Sequence, residues 1–277
     1  ALVVATCGPF AELFSSTAVT HPPSLLAPWG VVLYADEVTP GNPLKGNNLR
    51  KQYAIYWSFA QFGLAVLSHE SAWFCLAVMR ASEITEFDGG LSYVIRALLM
   101  LFFGAVGGYN MATQGCYLQP MHGATVFLYA SLFTLVSDEK AIKELWTCKG
   151  AAGLKCCILC MNCIKQSCTA LRWMHGHRGH AHTRFEDFVP QTDASITTIW
   201  DDLLAASVVL SNEAFKEKQK ILGFTFTLNS IMLSASLRSI ARPASITMWG
   251  WMHCFLVGGM LQKEVSLLMH RLKISYA

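Results

Sequence analysis

The sequence predicts an α/β domain, and three observations predict it. Val31 to Glu37 (VVLYADE) and Ala124 to Val136 (ATVFLYASLFTLV) are apolar runs rich in β-branched and aromatic residues, which read as strands buried on both faces. Each run stops at acids, Asp36-Glu37 in the first case and Ser137-Asp138-Glu139 in the second. Around the second run, Leu91 to Phe103 and Glu139 to Trp146 lack strand alternation and read as helices. A carboxylate is costly to bury without a cation or hydrogen bonds to compensate it. Two buried strands that each deliver one at their ends therefore make a candidate metal site. The plainer reading is that each acid marks where its strand emerges into water.

Composition narrows the classes. The 277 residues suffice for one large domain or two small ones. With 53% hydrophobic and 14% charged residues, the chain is apolar enough that an integral membrane protein has to be weighed. Leu91 to Tyr109 approaches the length of a span. Arg96 lies inside it, however, and a charge at mid-bilayer costs about 2.5–3.5 kcal/mol. His69 and Glu70 likewise interrupt Phe59 to Met79, and Gly123 to Val136 is short. Such windows fit a buried sheet and core helix better than a bundle of spans, so a membrane protein is kept as the alternative and a membrane partner is not expected. A net charge of +3 does not argue for nucleic acid by itself. Any basic attraction would be local, at Lys45 to Lys51 or Arg172 to Arg184. The chain opens on Ala1 rather than Met, which reads as a fragment or an incomplete gene model, and Ala1 to Ala5 lacks the basic residues of a secretory signal. Of 10 cysteines, the majority cluster between Cys148 and Cys168, which suits metal binding or a reducing compartment better than a disulfide framework.

Taken in order, residues 1–28 carry turn-formers (His21-Pro22-Pro23-Ser24, then Pro28) and read as a leading segment. Residues 29–147 are expected to hold the core. The first strand ends at a strong turn, Thr39-Pro40-Gly41-Asn42-Pro43. Tyr53 to Phe59 reads as the second strand and Ala72 to Met79 as the third, with Gly63 to Ser68 either extending the sheet or forming a loop. Short connections make these an antiparallel meander. The helix from Leu91 follows, then a Gly-rich loop to Gly115 without nucleotide-binding spacing, then the ambiguous Cys116 to His122. The fourth strand runs to Val136, and Asp138 stands where the next helix would take its N-cap, which is its structural role. Strand, strand, strand, helix, strand, helix is the order of the ribonuclease-H-like fold, in which the first and fourth strands lie side by side. That order makes Asp36 and Asp138 neighbours. Two facing carboxylates can hold a pair of divalent ions roughly 3.5–4 Å apart, which clamp the attacking and leaving oxygens of a phosphodiester.

Residues 148–184 are rich in Cys and His. Cys157-x-x-Cys160 and Cys160-x-x-Cys163 both have zinc-knuckle spacing. The preferred register is one zinc on Cys157 and Cys160, completed by Cys148 or by a histidine among His175, His177, His180 and His182. A buried cysteine-rich helix with solvent histidines is weighed equally. Residues 185–248 read as a helical insertion: a polar loop from Phe185 to Asp202, then helices at Leu203 to Leu210, Phe215 to Ile221 and Phe224 to Ser239. In residues 249–277, Trp251 to Leu272 reads as a helix that completes the core. Glu264 on it is the candidate third acid, with a solvated helix face as the alternative.

These residues resemble a known family. Asp36 after the first strand, Asp138 within LFTLVSDEKAIKELW and the segment CKGAAGLKCCILCMNC are similar to eukaryotic DDE transposases of the CACTA-like groups, including transposase-derived copies multiplied in some algal genomes. Trp249-Gly250-Trp251-Met252-His253-Cys254 resembles their late Asp-x-Met-His box. The resemblance spans roughly residues 29 to 270. It implies a ribonuclease-H-like catalytic domain using Mg²⁺ or Mn²⁺, an α-helical insertion before the last catalytic helix, and DNA cleavage and joining at element ends in the nucleus. It implies that Asp36 and Asp138 are the first two metal ligands, that Cys157 and Cys160 are the Cys pair of a structural zinc, and that His253 is the box histidine. Its partners would be DNA and, as an open alternative, a second copy of the chain. Gly250 stands where the box has its Asp. A decayed or domesticated copy that binds without cleaving is therefore carried beside the active enzyme.

Overall fold

The structure is a computed structural model that describes residues 8–39, 51–104, 110–118, 125–155, 157–163, 186 and 188–249. Within them the fold is mixed α/β, with a five-stranded sheet and several helices. Helix α1 (Gly8–Thr20) precedes β1 (Trp29–Val38). Strand β2 (Gln52–Phe59) leads through short helical turns, including α2 (Gly63–Leu67), to β3 (Phe74–Arg80). Helices α3 (Ala81–Glu86) and α4 (Gly90–Phe103) follow, then a small separate pair, β4 (Cys116–Leu118) and β5 (Val126–Leu128). Strand β6 (Ala130–Ser137) returns to the main sheet and passes into α5 (Glu139–Leu145). The remaining elements are α6 (Asp193–Val209), α7 (Asn212–Leu222), α8 (Pro243–Ile246) and β7 (Thr247–Trp249).

The main sheet has the order β3-β2-β1-β6-β7. Strand β2 runs antiparallel to β1 and β3, whereas β6 is parallel to β1 and β7 is parallel to β6. The burial of β1 explains its central place. Trp29 to Leu33 are buried without alternation, as a strand covered on both faces requires, and only from Tyr34 onward does exposure alternate. On one face, Val31, Leu33 and Trp57 meet Leu98, Leu99 and Phe102 of α4. At the start of β1, α1 docks through an aromatic nest in which the Trp29 ring lies 5.1 Å from both Phe14 and Phe59. Each such pair adds about 0.5–1.5 kcal/mol beyond the area it buries.

Several sequence expectations are corrected. Strand β1 does not stop at its acids but runs to Val38, so Asp36 pairs with Ala54 and Glu37 with Tyr53 inside the sheet. The expected single strand from Ala124 divides into β5 and β6, which belong to different sheets. The chain turns at Tyr129, whose carbonyl accepts the Trp29 N–H at 2.8 Å, while Phe127 packs on Tyr117 and Tyr129. The polar stretch expected to be a loop up to Asp202 is helical from Asp193. There Thr192 and Ser195 cap each other's backbone N–H, and Ile196, Trp200 and Leu203 bury at helical spacing. Conversely, Phe224 to Ser239 is not a long helix but a series of turns around a 3₁₀ segment at Ile231–Leu233. Its Ser, Thr and Asn side chains bond locally instead, as when Ser230 Oγ accepts the Met232 N–H. Strand β7, too short to show periodicity, was not anticipated.

Among the described residues no helix is long and apolar enough to cross a membrane. Arg96, which interrupted the longest apolar window, donates to the Leu228 carbonyl at 3.4 Å.

Candidate active site

The parallel register of β1 and β6 runs through Tyr34 opposite Val136 and Ala35 opposite Ser137. That pairing ends at Ala35 and Ser137, and the next residues are Asp36, still within β1, and Asp138, just past the end of β6. Ala35 and Ser137 are fully buried, whereas Asp36 and Asp138 are both partly exposed.

Both carboxylates are held. Tyr34 Oη donates to Asp36 Oδ2 at 2.7 Å, and the two share a face because they are two residues apart on a strand. Asp138 Oδ1 accepts the Ala141 N–H at 2.6 Å and so caps α5, the structural role its position predicted. Burial pushes the Tyr34 hydroxyl well above the usual tyrosine range, helped by the Asp36 hydrogen bond and the charges of Asp36 and Asp138. It is therefore a permanent donor at neutral pH, and both carboxylates lie within electrostatic reach of it.

The acids of this strand end differ in their partners. Glu37 is clamped by Lys51 at 2.7 Å and by Lys140 of α5 at 2.5 Å. Burial works to raise the Glu37 carboxyl, but its hydrogen bonds and ion pairs to the two lysines outweigh burial and hold it below the usual range. Tyr53 donates to Glu144 Oε2 nearby, and Lys140 sits 5.9 Å from the Tyr53 ring. Asp36 and Asp138 make no ion pair among the described residues, although Lys140 and Tyr53 feel the Asp138 charge. Two such carboxylates suit a hard divalent cation, which takes oxygen ligands. Among the described residues no group of three or more His, Cys, Asp or Glu side chains could hold a metal ion. Glu264, His253 and Gly250 lie outside the described residues.

Beside Asp36 an open cleft of about 610 Å³ is lined by Tyr34, Tyr56, Glu70, Ser71 and Trp73. Tyr34 and Tyr56 are register partners with ring centroids 6.4 Å apart, and Trp73 lies 6.1 Å from Tyr34.

The cysteine segment is placed elsewhere. Its backbone is tied to the ends of the helical region: Lys149 N–H donates to Gly223 O at 2.8 Å, Met161 N–H to Val189 O at 2.8 Å and Gln191 N–H to Leu159 O at 2.8 Å. Cys148 and Cys157 line a small cavity with Lys155, whose amine feels Cys148, Cys157 and Cys160. Burial pushes the Cys148 thiol far up and lowers Lys155 to about 8. A cysteine that ligates zinc does so as a thiolate, and among the described residues no three of the cysteines form a group that could hold a metal ion. Cys156, Cys168 and the four histidines from His175 to His182 lie outside the described residues.

No family model matches the chain, and no curated protein matches it in sequence. Sequence reasoning had named Asp36 and Asp138 but missed Tyr34, the Glu37 clamp and the aromatic cleft. Tyr34 could have been found from period two alone. The clamp could not, because Lys51, Glu37 and Lys140 are far apart in the chain.

Proposed function

We propose that the chain is a ribonuclease-H-like core derived from a DNA transposase, whose Asp36 and Asp138 hold a divalent metal for cleavage and transfer of DNA strands. The observation that supports this reading is the parallel pairing of β1 with β6 in the order β3-β2-β1-β6-β7, whose last register pair, Ala35 and Ser137, immediately precedes the two acids. A bound Mg²⁺ or Mn²⁺ would polarise the phosphate and stabilise charge on the attacking and leaving oxygens. The protein's own groups prepare for this. Tyr34 donates to one oxygen of Asp36, and the Ala141 N–H occupies one oxygen of Asp138, so each carboxylate keeps an oxygen for a ligand in a fixed orientation. Paired by Lys51 and Lys140, Glu37 is kept from competing as an acceptor.

Titrating the protein with Mn²⁺, followed by electron paramagnetic resonance of free metal, tests the reading. Stoichiometric binding that both Asp36→Ala and Asp138→Ala abolish supports it. No binding by the parent chain overturns it. A second reading, a decayed copy that binds but does not cleave, is favoured by Gly250 in the place of the box acid. Metal binding without nicking of supercoiled DNA would select it.

A further inference from the structure

We propose that the aromatic cleft beside Asp36 is a nucleobase-stacking subsite, which takes one unpaired base of a strand whose backbone passes Asp36 and Asp138. The inference rests on the phosphodiester reading and goes beyond it by naming the substrate as locally single-stranded. Three rings, Tyr34, Tyr56 and Trp73, line a cleft of about 610 Å³, ample for a base. The rings are fixed before any ligand arrives. Trp73 Nε1 donates to the Leu67 carbonyl at 2.9 Å, and Tyr34 is tethered through its hydroxyl to Asp36. That tether joins the cleft directly to one of the carboxylates.

Charge selects the occupant. Among the described residues the cleft is lined by no Lys or Arg, and Glu70 stands at its exposed rim. A phosphate is repelled there, while a neutral base is not. The Glu70 carboxylate and the Ser71 hydroxyl can accept from the exocyclic amine of a base, as acidic side chains do from cytosine. A base within a duplex already has both faces covered, so only an unpaired one can use the rings. Stacking on one aromatic platform strengthens single-strand binding by roughly 5- to 150-fold per base.

The test uses the full chain and a short labelled single strand carrying one 2-aminopurine, beside the same strand with an abasic site there. Binding is read by anisotropy and stacking by 2-aminopurine quenching. The parent is expected to quench the probe and to prefer the intact strand over the abasic one. Tyr56→Leu and Trp73→Leu should lose the quenching and bind the strand at least 5-fold more weakly, while Tyr56→Phe and Trp73→Phe retain both, which separates stacking from misfolding. Equal quenching and affinity in the parent and the Leu variants overturns the inference. Mn²⁺ titration of the same samples tells the two readings apart. If metal binds through Asp36 but the Leu variants match the parent, the cleft inference fails alone. If no metal binds but the probe is quenched and the Leu variants lose it, the subsite stands and the metal reading falls. No binding of either strand by the parent overturns the subsite.

Discussion

The strand end at Asp36 and Asp138 and the pocket around Lys155 are both clusters of groups that ligate metals, yet they are built in opposite ways. At the strand end, Asp36 and Asp138 follow the last register pair of β1 and β6, are left partly in water and are steadied by neutral donors, Tyr34 Oη and the Ala141 N–H. In the cysteine segment, Cys148, Cys157 and Cys160 lie within electrostatic reach of a buried amine, and the backbone is held by hydrogen bonds to residues 189–191 and 220–223. The first arrangement keeps its charges partly in water, with Lys140 in electrostatic reach of Asp138 and no ion pair to either acid among the described residues. The second suppresses charge, since burial raises the Cys148 thiol and lowers Lys155. The two clusters therefore differ in the charge state that their surroundings favour.

The contrast is broken most directly at the carboxylates. Asp36→Ala, Asp138→Ala and Asp138→Asn should each weaken Mn²⁺ binding by tenfold or more in a titration. Asp138→Ala should also lose about 1 kcal/mol of stability with its helix cap, whereas Asp138→Asn should not, because Asn caps as well as Asp. Equal destabilisation by both would mean that capping is not what Asp138 contributes to the fold.

The next largest effect belongs to the other cluster. Lys155 titrates near 8 in the folded chain and near 10.5 when unfolded. Between those values the unfolded chain binds more protons, so stability should rise with pH through about 8 to 10.5. Below that window the folded state carries the full penalty of a buried charge, on the order of 3 kcal/mol. Lys155→Met should remove it, giving higher stability at pH 7 and a flatter alkaline slope in urea unfolding.

Gly30 sharpens the part played by register. A Cβ at this position would stand 2.7 Å from Phe133 Cβ on β6, too close for any rotamer to relieve. Gly30→Ala should cost about 1–3 kcal/mol in thermal or urea unfolding and weaken Mn²⁺ binding in parallel, since it strains the pairing that leads into the two acids. The smallest effect is expected at the clamp. The Glu37 carboxyl is held below 4.5, so its contribution is present above that pH and is lost as pH falls through the folded value. Glu37→Gln should therefore cost under about 1 kcal/mol at neutral pH and soften the acid limb of the stability profile.

Much of this strand end was legible in the sequence because the signals were local. The run VVLYADE declares a buried strand, and Asp138 ahead of EKAIKELW declares a cap. The pairing of their strands followed from element order, a property of the whole chain that short motifs do not carry. Where the reading failed, tertiary context decided. The single strand expected from Ala124 broke at Tyr129, whose carbonyl was drawn to Trp29. Phe224 to Ser239 looked apolar enough for a helix, but Thr227 and Asn229 both bond to Asp88, 139 and 141 residues away in the chain. The zinc spacing of Cys157 and Cys160 was plain in the sequence, but nothing there announced that Lys155 folds in among the thiols.

The cap on α5 has a consequence for reading the strand end from outside. Asp138 serves the Ala141 amide with one oxygen, which leaves its other oxygen for a ligand. Whatever immobilises that second oxygen also immobilises the first, so fraying of the opening turn of α5 and vacancy of the acidic pair become one shared equilibrium. A single backbone proton, exchanging with solvent more slowly as the pair is filled, thus carries a record of occupancy.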